Sequence, residues 1–227
     1  MKAVDVRKQV KSQLKLFSKE RDLIIKRDSL LIRKTPVGIS QVIGISISSY
    51  GEIHRIGSPS ASVRIEDIET ILSPFNEELF FGRATNPNTP SILLISNFSN
   101  VPKIIFDGKE GSMVRVKDEK ELNIALELSI QVIKEVIIPF LDEVMTLSGF
   151  NSYLEHQNLL DKIGLKETDP FTMIRWLLVK KIIKDTDFDI LKENRLVWLE
   201  KILEEDKVGN LPYYNAYLKY FDFLENL

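Results

Sequence analysis

The run ELNIALELSIQVIKEVIIPFLDEVMTLSGF, ending at Phe150, repeats apolar residues at helical spacing, continues through a proline and meets a glycine near its end. Leu122, Ala125, Leu126, Ser129, Val132, Ile133, Val136, Ile137 and Phe140 share one broad face, so the spacing predicts a core-facing helix after Lys117. Pro139 lacks a backbone donor and its ring opposes the preceding turn, which predicts a kink or break near Val136 to Ile138. Gly149 is the expected helix stop.

This helix divides two kinds of sequence. Before it, Val6, Val10, Leu14 and Phe17 fall at spacings of three and four, while Lys8, Lys11, Lys15 and Lys19 form a separate stripe, which predicts an amphipathic helix. From Asp22 the period changes. LIIKRDSLLIRK reads as two short strands, and TPVG turns into a longer one where Ile43, Ile45 and Ile47 alternate with Gly44, Ser46 and Ser48. Ser46 and Ser48 are expected to face solvent. SPSAS interrupts the next extended run, and EDIETIL is suited to open a helix on its acidic residues. ATNPNTP holds prolines that suit a surface loop, SILLISNF, KIIF and MVRV supply further strands, and DGKEGS reads as a turn. After Gly149, SYLEHQNLLDKIG, DPFTMIRWLLVKKII, FDILKENRLVWLEKILEED and YYNAYLKYFDFLENL read as four successive helices.

The fold class that follows is α+β: an antiparallel sheet of about six strands with helices packed on one face, then a C-terminal helical lobe. The expected domains are 1–149 for the sheet and 150–227 for the lobe. With 227 residues, 44% of them hydrophobic and 28% charged, the chain has material for a substantial core. No segment approaches the roughly 20 apolar residues of a membrane span, and the start carries no secretory pattern, so a cytoplasmic location is expected. Cysteine is absent, which excludes disulfides and thiolate metal ligands within this sequence.

The net charge of -2 is unevenly spread. Residues 1–34 hold eleven Lys and Arg against four Asp and Glu, whereas residues 35–150 hold nine against fifteen. A basic first helix on an acidic body either steers an anionic partner or docks on its own protein. The stripe has no interleaved aromatics on which bases stack, so nucleic acid is not the expected partner.

No chemical motif emerges. Asp185, Asp187 and Asp189 have the opening spacing of a calcium loop, but Ile190 stands where glycine is needed and Leu196 where the bidentate glutamate is needed. Helix capping by one of these aspartates is the expected role. His54 and His156 lack partners at ligand spacing, G-x-S-x-G is absent, and DGKEGS lacks the phosphate-loop arrangement. Accordingly no catalytic residue, metal site or cofactor is expected.

The densest aromatic cluster is Tyr213, Tyr214, Tyr217, Tyr220, Phe221 and Phe223. Tyrosine combines large contact area with a polar tip, so Tyr214 and Tyr217 are the candidate partner-interface residues. Burial is expected sooner for Trp176, Trp198 and Tyr213.

The amphipathic first helix, the segment SLLIRKTPVGISQVIGISIS and the helix VIKEVIIPFLDEVMTLSGFNSYLEHQ together resemble a bacterial domain-of-unknown-function family, numbered 4304, over residues 1 to 160. Pro139, Phe140 and Asp142 carry the most specific part of the likeness. The family brings no established catalytic residues. Small bacterial proteins of similar layout include immunity proteins for secreted toxins, so the resemblance implies protein binding. The functional expectation is non-catalytic protein interaction, with a protein partner or by self-association, of the kind that binds and neutralises a partner. The alternatives are an enzyme with a cleft where sheet and helical lobe join, or a weak nucleic-acid binder through the first helix.

Overall fold

A computed structural model describes residues 2–19, 23–27, 29–33, 35–80, 91–95, 113–156 and 170–227. The expected loop ATNPNTP, strand KIIF and turn DGKEGS lie outside these. Two compact units emerge, interleaved along the chain: Met1–Val63 with Ile92–Asp142, and Arg64–Ser91 with Glu143–Leu227. The fold is α+β, with antiparallel strands in the first unit and helices filling the second.

In the first unit, helix α1 (Ala3–Lys19) buries Val6, Val10, Leu14 and Phe17, the stripe read from spacing. Strands β1 (Leu23–Arg27) and β2 (Leu30–Arg33) form an antiparallel hairpin, and β2 pairs with β3 (Ile39–Gly44). The long strand expected through Ser48 divides at Ile45 and Ser46. Beyond that point β4 (Ile47–Tyr50) pairs with β5 (Ile53–Gly57) in a different sheet. Gly57 lies against this division: its N–H donates to the Ser46 carbonyl at 2.8 Å, and a Cβ there would meet Ser46 Oγ at 1.9 Å. Ser46 is exposed as expected, while Ser48 is half-buried.

Ser60–Ile65 forms β6, Ile92–Ile95 β7 and Met113–Val116 β8. The strands therefore make two sheets, ordered β1-β2-β3-β6-β7 and β4-β5-β8. Helix α4 (Glu119–Val132) starts at Asp118, whose carboxylate accepts the Glu121 N–H, and packs against β8. A single π-helical turn, Ile133–Ile137, leads into α5 (Ile138–Glu143). That wider turn lies where the proline was expected to disrupt the helix, and it accommodates the missing Pro139 donor without ending the helical path. Gln41 is fully buried on β3 and donates to the Leu141 carbonyl at 2.7 Å.

The helical unit begins with α2 (Glu66–Leu72), acidic in its first turn as expected, a 3₁₀ turn (Ser73–Phe75) and α3 (Asn76–Phe80). It resumes with α6 (Leu147–His156), α7 (Pro170–Ile182), α8 (Phe188–Glu205) and α9 (Lys207–Glu225). Gly149 is not a helix stop. It sits in the first turn of α6, its N–H donating to Thr146 Oγ1, and a Cβ there would lie 1.8 Å from the Glu143 carbonyl oxygen. Close passage of backbone, not left-handed geometry, requires this glycine. Among the described residues, no helix is long and apolar enough to cross a membrane.

Candidate functional site

Helices α8 and α9 frame a groove in the helical unit. Along α8 the buried positions are Phe188, Leu191, Arg195 and Leu199, spaced three or four apart, so an arginine occupies a core position of an otherwise apolar stripe. The chain then reverses through Asp206. Its backbone N–H bonds the Ile202 carbonyl, and its side chain caps α9 by accepting the Gly209 N–H at 2.9 Å. A Cβ on Gly209 would stand 2.3 Å from Asp206 Oδ2, so glycine lets this cap close. Asn210 donates to the Ile202 carbonyl at 2.7 Å, fastening the corner a second time.

Beside this corner opens a groove of about 860 Å³. Phe171, Trp198, Ile202, Pro212, Tyr213 and Ala216 supply its apolar lining, with Glu77, Glu78 and Lys219 as charged members. Lys219 Nζ holds Glu78 at 2.9 Å. Behind this wall, Arg195 places its guanidinium 3.8 Å from the Trp198 ring centroid and 4.9 Å from that of Tyr217. Its Nη2 donates to the Tyr217 hydroxyl at 2.9 Å and makes a long contact with the Tyr213 hydroxyl at 3.5 Å.

The two candidate interface tyrosines separate. Tyr217 is 0% exposed, packed edge-on against Tyr213, Tyr220 and Phe221, and presents no surface to a partner. Burial pushes its phenol far above the ordinary range, with Arg195 only partly offsetting this. Tyr214 is half-buried and lies outside the groove lining. Instead the groove is lined by half-buried Tyr213 and Trp198, two residues for which burial was expected; Trp176 is fully buried. The reason is helical phase: Ala216, Tyr217, Tyr220, Phe221 and Leu224 form the inward face of α9, and Tyr213 lies one turn earlier, where that face meets the groove.

A second polar constellation gathers at the other end of α7. Lys180, fully buried, reaches Glu155 at 2.6 Å and Asp185 at 3.0 Å. Asn151 donates to both carboxylates, at 3.0 and 2.9 Å, and accepts the Trp176 indole N–H at 2.8 Å. Oxygens of Glu155, Asp185 and Asp187 lie within 4.8 Å of one another, a spacing suited to a metal ion. The Lys180 ammonium already supplies a cation to two of them. Desolvation would raise the Asp185 carboxyl, but the Asp187 N–H, Lys180 and Asn151 together hold it below the usual range.

The capping role expected of these aspartates takes a different form. Asp187 stands at the N-cap of α8 without a side-chain cap, while Asp185 accepts the Asp187 N–H at 2.8 Å. A local carboxylate-to-backbone turn therefore replaces the cap. His156 is exposed, 3.7 Å from Glu143 through Nδ1. Buried His54 meets Ser49 Oγ at 2.8 Å through Nδ1, a cross-strand contact that sequence spacing did not reveal; neither residue lines the groove. No protein-family model, curated protein or solved structure matches this chain.

Proposed function

We propose that this protein acts by non-catalytic protein interaction, taking an apolar side chain of a partner protein into the groove beside Trp198 and Tyr213. The observation that carries the reading is an aromatic-lined recess with a few charged residues among its lining, a composition suited to an interface anchor pocket. Neutralisation of a partner, as in immunity proteins, belongs to the same proposal, as does membership of residues 1 to 160 in the family numbered 4304. The lysine stripe of α1 is exposed, and under this reading it is a solvated helix face rather than a nucleic-acid site.

A photo-crosslinking amino acid at exposed Asn215, which lines the groove, tests the proposal, with the fully exposed Val37 as the control position. The expected outcome is a protein crosslinked through position 215 and not 37. Once purified, it should bind the wild type and lose about tenfold or more in affinity to Ile202→Glu, with the melting temperature retained. Absence of a position-specific protein, or binding indifferent to Ile202→Glu, overturns the reading.

A further inference from the structure

Among the described residues of the helical unit, the buried side-chain polar atoms without a hydrogen-bond partner are Arg195 Nε, Arg195 Nη1 and Trp198 Nε1. All three are donors. They belong to two side chains stacked on each other, three residues apart on α8, one of which lines the groove. Arg195 is 0% exposed and pairs with no carboxylate among the described residues. A cation buried without a counter-ion is held against its desolvation cost, and unmet donors beside a groove favour a ligand that brings acceptors.

We propose that this wall of the groove binds the carboxylate of an apolar ligand. Tyr213 links the Arg195 charge to the groove: the residue lines the groove, and its hydroxyl lies 3.5 Å from Arg195 Nη2. When that hydroxyl accepts from Arg195, its own hydrogen is free to turn; its protein acceptor, the Tyr217 hydroxyl, is a long 3.4 Å away. An incoming carboxylate replaces this weak contact with a charge-assisted one, strengthened by a full positive charge behind it in a low-dielectric setting.

The remaining lining selects the body of the ligand. Phe171, Ile202, Pro212 and Ala216 accept hydrocarbon, and the groove's volume suits a compact ligand or one chain terminus. Glu77 and Glu78 disfavour a polyanion, because Lys219 compensates only one of them directly. The ligand class is therefore a monocarboxylate with an apolar or aromatic body. This rests on the groove being a recognition site, as in the interaction reading, but not on its occupant being a protein.

Calorimetric titration with 3-phenylpropionate and its neutral amide tests the proposal. The wild type should bind the acid about tenfold or more tightly than the amide, and Arg195→Met should abolish that preference while keeping the fold. Equal binding of acid and amide, or an acid preference that survives Arg195→Met, overturns it, as does binding of neither when the peptide acid described below also fails. If Arg195→Met does not fold, Tyr213→Phe decides: a preference reduced severalfold at unchanged melting temperature supports the assignment, and an undiminished one overturns it. An acetylated tripeptide ending in phenylalanine and its C-terminal amide complete the comparison. Acid-selective binding of the peptide places the carboxylate on a chain terminus, whereas selectivity confined to phenylpropionate places it on a small molecule. Failure of every acid alongside successful crosslinking at Asn215 would sink this inference and leave the interaction reading standing.

Discussion

Glu69 and Arg175, 106 residues apart, close on each other through two hydrogen bonds, Nε to Oε1 at 2.7 Å and Nη2 to Oε2 at 2.8 Å. Both side chains are buried, and Ser91 adds a third donor to Glu69 Oε1 at 2.5 Å. This forked pair fastens α2 to α7, helices from separate chain segments of one compact unit.

Removing Glu69 leaves the buried Arg175 guanidinium without the carboxylate that takes two of its hydrogen bonds. Glu69→Ala should cost about 3–5 kcal/mol by chemical denaturation, whereas Glu69→Leu combined with Arg175→Met should recover much of the loss. Additive losses in the double variant would show that each side chain stabilises the unit independently.

Lys180 acts as the built-in cation of the Glu155, Asp185 and Asp187 cluster. Chelation should therefore leave the wild-type melting temperature unchanged. Lys180→Met removes the ammonium and leaves clustered carboxylates with the spacing a hard divalent ion accepts, so millimolar calcium should raise the melting temperature of the variant alone. Calcium stabilisation of the wild type, or no response in a folded variant, would contradict this.

The same cluster predicts a pH dependence. Asp185 faces Lys180, Asn151, Glu155 and Asp187, and its carboxyl is held below the unfolded value. Its stabilising contribution is complete above the unfolded pKa of about 3.9 and disappears as pH falls through the lower native pKa. Asp185→Asn should melt below the wild type at neutral pH, and the gap should narrow below about pH 4. A gap independent of pH would assign the loss to geometry rather than charge.

Sequence periodicity revealed the elements whose side chains follow one rule. The α1 stripe, the β1–β2 hairpin and the disruption before Pro139 each depend on neighbours in the chain. The exchange between sheets at Ile45 and Ser46 was hidden because alternation continues through it, and only the close approach of Gly57 marks it. At the groove, a phase of one helical turn separates Tyr213 from buried Tyr217. Arg195 carried a legible signal: a cation at a core position of the Phe188, Leu191 and Leu199 stripe. Arg175 and Lys180 carry a related one within the apolar α7 run, but their partners come from distant segments that periodicity does not connect.

The basic face of α1 offers a simpler test. Lys8, Lys11, Lys15 and Lys19 are exposed, opposite the buried stripe, and changing all four to Ala should alter stability by about 0.5 kcal/mol or less per site. Neither duplex nor single-stranded oligonucleotide should bind at physiological salt. Micromolar binding that weakens steeply with salt and vanishes in the variant would restore the nucleic-acid alternative.

Tyr214 and Tyr217 finally distinguish packing from recognition within one helix. Tyr217 has lost all solvent contact and accepts a hydrogen bond from Arg195, so Tyr217→Ala leaves both a cavity and a further unmet donor. A loss of about 3–5 kcal/mol is expected from denaturation curves. Tyr214 is half-buried and outside the groove, so Tyr214→Ala should cost only about 1 kcal/mol. Tyr217→Phe adds a check on the hydroxyl: it keeps the ring, deletes the acceptor and should fall between wild type and Tyr217→Ala. Comparable losses from the alanine changes at 214 and 217 would mean that α9 is uniformly core, whereas a stable Tyr217→Ala protein that fails only in partner binding would return Tyr217 to the interface.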